Sequence, residues 1–257
     1  MKKVIAFLVL VFSQVYAFNL ERVDVLYSYE YLTPNSTYGT WNSIEVMSYW
    51  KWGQNTTPFL GGTITDRSKE GGAFLSTLGA YRDWSEFLYT YSAVSFGSNS
   101  TYYPQYRLDH DFNFKVGRER NIVLTIGGSY IKYWDVHKDK VFSLGGTVYS
   151  GKFVGSLRYF YNISDPGNVT SSSYLVSVGY GAEKESWTYL DVYLGKQAYL
   201  ATYLYQPEQV NQNAYIIELN HRQWVRNDAG FIVIVGYMKL EDGYEKYRIS
   251  GGFFKEF

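Results

Sequence analysis

The sequence predicts an all-β fold, a transmembrane antiparallel up-and-down β-barrel of about fourteen strands, with about twelve as the alternative. Three observations predict it: apolar and polar residues alternate with a period of two, aromatic residues are abundant, and the N-terminus has the form of a secretory signal. The 257 residues include 28 Tyr, 16 Phe and 7 Trp but only 5 Pro. This composition favours strands joined by tight turns over helices.

The N-terminal segment predicts export. Lys2 and Lys3 form a basic start, Val4–Phe12 is apolar, and Ala17 places a small residue at the cleavage position. We therefore expect residues 1–17 to be a signal peptide and residues 18–257 to form one outer-membrane barrel domain. The apolar segment is too short to span a bilayer as a helix, and no other window approaches the roughly 20 apolar residues that a membrane helix needs.

Alternation divides each predicted strand into an aromatic, apolar face and a polar face. Near the N-terminus, Tyr27, Tyr29 and Tyr31 lie on one face, and Ser28 and Glu30 lie on the other. A secreted β-sandwich would also alternate, but its buried face is usually aliphatic. A face rich in Tyr, with Trp beside turns, is typical of the lipid-facing side of a membrane barrel. These tryptophans are Trp50, Trp52, Trp84 and Trp134.

Turn signals divide the chain into strand segments. We expect them near 21–32, 40–52, 58–69, 73–84, 87–98, 104–117, 122–134, 140–151, 153–165, 172–183, 186–200, 212–225, 230–242 and 244–257. If the N-terminus lies in the periplasm, the longer connections fall outside the cell and the tight turns fall in the periplasm, as in known membrane barrels. The longer connections are Thr33–Gly39, Ser98–Tyr103, Asp165–Ser172 and Tyr199–Asn211.

The polar face predicts a charged barrel interior. The candidates for lining the lumen are Glu30, Glu45, Arg67, Arg107, Asp109, Asp111, Lys115, Arg158, Asp191, Glu218, Arg222 and Arg248. Both signs are well represented, and this leaves two interpretations open. Opposed charges could line a path for a polar or zwitterionic solute. Alternatively, they could pair across the interior and largely close it, because buried charges need partners.

The C-terminal segment has the features of an assembly signal for outer-membrane barrels. Tyr247, Ile249, Phe253 and the terminal Phe257 are expected to face outward. They resemble the aromatic signal that the barrel-assembly machinery recognises. Lys255 departs from that pattern, because an aromatic residue is usual two positions before the end, and it is expected to extend toward the lipid headgroups.

Other function classes find little support in the sequence. His110 and its acidic neighbours point to opposite faces of a strand, His137 lies in a predicted turn and His221 at a membrane boundary, so no hydrolytic arrangement forms. No cluster has the spacing of metal ligands, and no cofactor is expected. The 24 basic residues balance the 24 acidic ones, so no positive field favours nucleic acid.

Three sequence segments resemble the YaiO family of outer-membrane proteins. They are Pro104–Asp109 (PQYRLD), Val141–Gly146 (VFSLGG) and Ser173–Gly181 (SYLVSVGYG). The resemblance covers roughly Val23 to Phe257. It implies a barrel in the bacterial outer membrane and supplies no catalytic residues. Relatives of this barrel type occur beside polysaccharide-export systems, which suggests a surface-glycan role by analogy.

These observations lead to one leading functional hypothesis and two alternatives. The first is a narrow channel or export-associated pore for small polar or glycan-like solutes. The second is a non-conducting structural barrel that uses its exposed loops for surface interactions, and the third is an outer-membrane enzyme. The expected partners are outer-membrane lipid, the barrel-assembly machinery and a polar or glycan solute, without nucleic acid.

Overall fold

The structure, a computed structural model, describes residues 18–197, 212–241 and 243–257. Its strands form a closed barrel in which every strand pairs antiparallel with its neighbours in sequence and β1 pairs with β14. The strands are β1 (Phe18–Thr33), β2 (Thr40–Trp52), β3 (Thr56–Arg67), β4 (Gly71–Asp83), β5 (Leu88–Gly97), β6 (Tyr106–Val116), β7 (Ile122–Lys132), β8 (Lys138–Ser150), β9 (Phe153–Asp165), β10 (Val169–Ala182), β11 (Ser186–Gln197), β12 (Gln212–Arg226), β13 (Ala229–Leu240) and β14 (Glu245–Glu256). A short helix, α1 (Asn35–Tyr38), lies between β1 and β2.

The predicted fold class is confirmed, and the higher of the two predicted strand numbers is the observed one. One predicted connection was too long. Asp165–Ser172 was expected to be a loop, but β10 begins at Val169, and Thr170 pairs with Ile163 across the hairpin. Only 166–168 connect the two strands. The predicted signal peptide, residues 1–17, and the predicted loop Tyr199–Asn211 lie outside the described residues.

The two faces of the barrel differ as the alternation predicts. On β1, Tyr27 and Tyr31 point outward and are 49% and 42% exposed, whereas Ser28 and Glu30 point inward and are buried. The outward face can remain apolar because it meets lipid. The strand edges find hydrogen-bond partners only by closure of the sheet, since lipid offers none. Among the described residues, no helix has the length and apolar character needed to cross a membrane.

The two ends of the barrel are distinguished by their connections. One end carries both termini of the barrel and turns such as 53–55, 151–152 and 227–228. The other end carries the connections 34–39, 98–105 and 133–137. Short turns belong to the periplasmic side of membrane barrels, so we assign the first end to the periplasm and the second to the cell exterior.

Tryptophans mark both ends of the outer surface. Trp52 and Trp84 are 41% and 59% exposed at the periplasmic end, and Trp134 is 42% exposed at the extracellular end. Their positions match the girdles that amphipathic rings form at the two membrane interfaces.

Candidate functional site

The structure places the side chains at the predicted lumen positions on the inward face of the barrel. Glu45 illustrates the rule, because its strand neighbours Ile44 and Val46 point outward and are 52% and 43% exposed. Several of the charged residues are deeply buried: Glu30, Arg67, Arg107 and Glu218 are at most 5% exposed. That these residues line a path for a solute remains a prediction.

One group of interior charges joins β1, β12 and β14. Arg248 on β14 reaches over β13 to Glu218 on β12, with 3.2 Å between Nη1 and Oε2. Gly236 lies between them, and a side chain at this position would crowd both residues. Lys246 pairs with Glu30 on β1 at 3.3 Å, with both side chains under 10% exposed. Lys246 was not among the predicted interior positions, although its place two residues before Arg248 puts it on the same face.

A second group lies on the opposite wall, on β6 to β9. Arg107 and Asp109 form a forked ion pair, with Nε and Nη2 each within 2.9 Å of the carboxylate. Ser129 donates a further hydrogen bond to Asp109. Arg158 on β9 reaches Asp111 on β6, with 2.6 Å between Nη2 and Oδ1.

Glycine makes the long reach of Arg158 possible. The ion pair crosses β7 and β8, and a Cβ at Gly127 would collide with the Asp111 carboxylate. At Gly145 a Cβ would lie 3.1 Å from Arg158 Cγ. Ser143 also accepts a hydrogen bond from Arg158 at 2.7 Å. The side chains of Arg158 and Asp111 therefore lie directly against the backbone at Gly127 and Gly145.

Closer to the periplasm, Asp24 joins two cations. It accepts a hydrogen bond from Arg222 at 2.9 Å and forms an ion pair with Arg22, with 3.0 Å between Nε and Oδ1. Lys115 pairs with Asp83 at 3.0 Å near the rim. Arg22, Asp24 and Asp83 were missing from the predicted set. Alternation with the outward Val23 and Val25 was the signal that could have identified Asp24.

The extracellular mouth is narrowed by the connection 98–105. The sequence placed Ser98–Tyr103 among the extracellular loops, and the structure turns this loop inward. Tyr103 is fully buried and shares a 2.6 Å hydrogen bond with Thr65. Tyr102 donates to the carbonyl of Gly71 at 2.9 Å. Burial of these tyrosines was not predicted, because polar flanking residues give the segment the composition of a solvated loop.

Arg67 holds this loop against the barrel wall. Its guanidinium lies between two aromatic rings, 3.7 Å from the centre of Trp41 and 3.9 Å from that of Tyr102. It also pairs with Glu70 at 2.9 Å. A weakly hydrated, planar guanidinium stacks favourably on aromatic faces. Arg67 therefore acts in this structure as a bridge between β2, β3 and the inward loop.

The extracellular part of the interior is packed with apolar side chains. A buried cluster joins β1, β2, β11, β12, β13 and the turn before β14, and the described members are Leu32, Trp41, Tyr193, Ala214, Ile216, Met238 and Tyr244. A second buried cluster joins Tyr102 and Tyr103 of the inward loop to Ala73 and Leu75 on β4.

The periplasmic end contains a cavity. A cavity of about 530 Å³ opens there, lined by Glu21, Arg22, Tyr49, Thr57, Tyr81, Glu183, Lys184, Glu256 and Phe257. Several charges around it are paired, as in the ion pair of Lys184 with Glu256. Among the described residues, the interior therefore combines a periplasmic cavity, a charged middle section and a buried apolar cluster at the extracellular end.

The histidines lie apart from the interior charges. His110 faces outward, as predicted, and shares a 2.8 Å hydrogen bond with Ser92. His137 lies in the connection 133–137 beside Asp135. Burial raises the pKa of Asp135, but hydrogen bonds from the backbone and ring of His137 outweigh it and hold the pKa below its usual value. Among the described residues, no group of three or more potential ligands could hold a metal ion.

The predicted C-terminal signal residues face outward in the structure. Tyr247, Ile249, Phe253 and Phe257 are between 47% and 72% exposed. Lys255 lies in the same row and forms an ion pair with Asp228 in the neighbouring periplasmic turn. Recognition of this row by assembly machinery remains a prediction.

A closed barrel with an apolar outer surface, aromatic girdles and a charged interior defines the class of bacterial outer-membrane β-barrel proteins. The chain belongs to the YaiO membrane beta barrel domain family, whose model matches residues 20–200. The resemblance seen in the sequence is confirmed over that range. No curated protein matches the chain.

Solved structures share the fold at low sequence identity. The CymD monoaromatic hydrocarbon channel has a TM-score of 0.60 at 9% identity, with 94% of this chain and 88% of that chain covered. A bacterial polysaccharide outer membrane secretin has a TM-score of 0.57 at 8% identity, with 92% and 98% covered. The Acinetobacter baumannii outer membrane protein Omp33 has a TM-score of 0.54 at 8% identity, with 93% and 99% covered. The family and these structures are membrane barrels and channels.

Proposed function

We propose that this outer-membrane barrel is a narrow channel or export-associated pore for small polar or glycan-like solutes. The observation that carries the proposal is the axial arrangement of the interior, in which a cavity of about 530 Å³ at the periplasmic end leads to a charged middle section. Positive and negative side chains along a barrel interior can interact favourably with polar solutes. A barrel of fourteen strands is also wider than those that side chains fill completely.

The inward loop 98–105 supplies the narrowest part of the proposed path. Tyr102 and Tyr103 pack inside the extracellular mouth, where Arg67 stacks on Tyr102 and Thr65 shares a hydrogen bond with Tyr103. In this proposal, passage of a solute requires the loop to move or the solute to be small. The structures that share the fold include a channel and a secretin by their own descriptions, which supports membrane passage as a function of this kind of barrel.

A non-conducting structural barrel is the second candidate. It is favoured by the burial of the interior charges, since Glu30, Arg107 and Glu218 are 1%, 4% and 5% exposed. Charges in a water-filled path would be more accessible, whereas charges that tie strands together would be buried and paired.

Sugar efflux from vesicles separates the two candidates. The protein is inserted into lipid vesicles loaded with glucose or a short oligosaccharide, and release is compared with that of a variant carrying Tyr102→Ala and Tyr103→Ala. We expect slow release by the wild type and several-fold faster release by the variant, because the mouth is then wider. Tyr180→Ala, which removes an outward ring that is 53% exposed, is the matched control and should behave as the wild type.

Failure of both the wild type and the loop variant to release sugar, while each is folded, would contradict the channel and favour the structural barrel. Folding is checked by the strand signal in circular dichroism and by heat-dependent migration on gels.

The export signal at residues 1–17 and the assembly signal around Phe257 belong to the same proposal. Deletion of Phe257 should slow insertion of the barrel into the outer membrane, and unchanged insertion would remove that part.

A further inference from the structure

Tyrosine side chains line the inside of the periplasmic end. Tyr49, Tyr81, Tyr89, Tyr149 and Tyr189 occupy inward positions near the periplasmic ends of β2, β4, β5, β8 and β11. We call these five residues the inner tyrosine collar. They differ from the lipid-facing tyrosines of the outer surface, since they alternate along their strands with outward residues such as Leu190 and Val148.

Members of the collar on different strands face the same interior space. Tyr149 lies close enough to Tyr89 and to Tyr189 for electrostatic interaction, although each is three strands away from β8 around the barrel. Tyr189 can lie against the inner wall because Gly179 beside it has no side chain. Tyr49 and Tyr81 line the cavity of about 530 Å³.

On one wall the collar continues inward as an aromatic surface. Phe59 lies 6.2 Å from Tyr49 and 5.8 Å from Tyr81, measured between ring centres, and Tyr81 lies 5.1 Å from Tyr91. Phe59 is itself only 3% exposed, so it packs against the rings of Tyr49 and Tyr81 and supports this part of the cavity wall.

Two of the collar tyrosines are well exposed, unlike the tyrosines of the extracellular mouth. Tyr81 is 42% exposed and Tyr149 is 46% exposed, whereas Tyr103 is fully buried and Tyr193 is 4% exposed. Tyr81 and Tyr149 therefore keep part of their surface open to the barrel interior. A cavity with aromatic walls and a few polar groups has the character of a small-molecule site, and its volume falls within the ~300–1,000 Å³ range of such sites.

The charges around the cavity disfavour an anionic ligand. Its lining holds three carboxylates, from Glu21, Glu183 and Glu256, against the two cations of Arg22 and Lys184. Two of these charges, on Lys184 and Glu256, pair with each other. Since the remainder is not positive, attraction of acidic sugars or phosphates has no basis in the cavity.

We propose that the inner tyrosine collar is a binding site for a neutral oligosaccharide at the periplasmic mouth. A sugar ring has an apolar face of C–H groups and an edge of hydroxyls, and tyrosine presents the matching combination of an apolar ring and a polar tip. Thr57 adds a further hydroxyl to the cavity wall. The inference rests on the proposed function, because it names the solute class that would enter the barrel.

Binding is tested directly on the detergent-purified protein. Maltotetraose, cellotetraose and N-acetylated chitotetraose are the neutral probes, tetragalacturonate is the anionic probe, and toluene is the apolar aromatic probe, each measured by calorimetry or equilibrium dialysis. We expect at least one neutral tetrasaccharide to bind more tightly than tetragalacturonate and toluene. Absence of binding by all three neutral sugars, or tighter binding of either comparison probe, would overturn the proposal.

Substitutions locate the site. Tyr81→Ala and Tyr149→Ala should each weaken binding of the neutral sugar about three- to tenfold, as expected for loss of one stacking face. Tyr81→Phe keeps the face and should lose less. Tyr180→Ala removes an outward ring at the same end and should change nothing. An equal effect of Tyr180→Ala, or no effect of either inward alanine, would place binding elsewhere and overturn the assignment.

The binding experiment and the efflux experiment test different proposals. Binding in detergent requires no passage, so sugar binding without efflux would contradict only the channel. Efflux without sugar binding would contradict only the collar site. If Tyr81→Ala does not fold, Tyr149→Ala on another strand and the conservative Tyr81→Phe provide the same test.

Discussion

Replacing Arg158 by Met should lower the free energy of unfolding of the barrel by about 2 kcal/mol. Arg158 pairs with Asp111 at 2.6 Å, and their side chains are 25% and 16% exposed. Loss of one partner from a fully buried pair costs about 3–5 kcal/mol, whereas an exposed pair contributes about 0–1 kcal/mol. Partial access of water screens this pair, so an intermediate value follows.

The assay is denaturant unfolding of the protein in lipid vesicles, followed by tryptophan fluorescence. A double-mutant cycle with Asp111→Leu isolates the pair, and we expect a coupling energy of about 1–2 kcal/mol. The matched control is Lys140→Met. Lys140 and Asp165 are 3.9 Å apart with side chains 52% and 33% exposed, so this change should stay within about 0.5 kcal/mol. A coupling energy near zero, or an equal effect of the control, would refute the reasoning.

Two further predictions concern the glycines beside the ion pair of Arg158 with Asp111 and the inward loop. Gly127→Val should destabilise the barrel more than Gly128→Val, because a Cβ at Gly127 would collide with Asp111, whereas at Gly128 the nearest atom would be 3.5 Å away; equal losses in the same unfolding assay would contradict this. Burial raises the pKa of Tyr103 to about 12, despite its hydrogen bond to Thr65, so its contribution to stability should be complete below about pH 10 and lost as the pH rises through about 12. The difference in ultraviolet absorbance between the wild type and Tyr103→Phe should titrate near pH 12, and a midpoint near pH 10 would show that the loop does not bury the phenol.

The fold could be predicted from the sequence because a membrane leaves a barrel few choices of backbone pairing and side-chain orientation. Lipid forces every backbone group into the closed sheet, and each strand must turn one face to lipid. Alternation therefore indicated both where a strand lies and which of its side chains point to lipid, as with Tyr27, or to the interior, as with Ser28 and Glu30. The error at Asp165–Ser172 has a physical source. A run of Ser and Thr has the composition of a loop, yet the pairing of Thr170 with Ile163 extends the hairpin through it.

The site could be predicted only in part. Period two identified which charges point inward, but partners such as Arg158 and Asp111 are separated by two strands and meet only after closure. Tyrosine was interpreted only as a lipid-facing residue, as at Tyr27, and the inward tyrosines were not identified, because tyrosine suits both a membrane interface and an interior wall. The burial of Tyr103 depends on the path of a loop, which local sequence does not encode, whereas the inward facing of Tyr149 follows from its alternation with the outward Val148.

Recording of single-channel currents from the wild type and from Asp111→Asn in planar bilayers tests the proposed channel most directly. The substitution keeps the shape of the side chain and leaves the cation of Arg158 in the interior without its negative partner. The channel predicts discrete current steps in both proteins and a reversal potential that shifts toward anion selectivity in the variant. A folded barrel that passes no current, or a reversal potential that the variant leaves unchanged, would contradict a solute path through this charged interior.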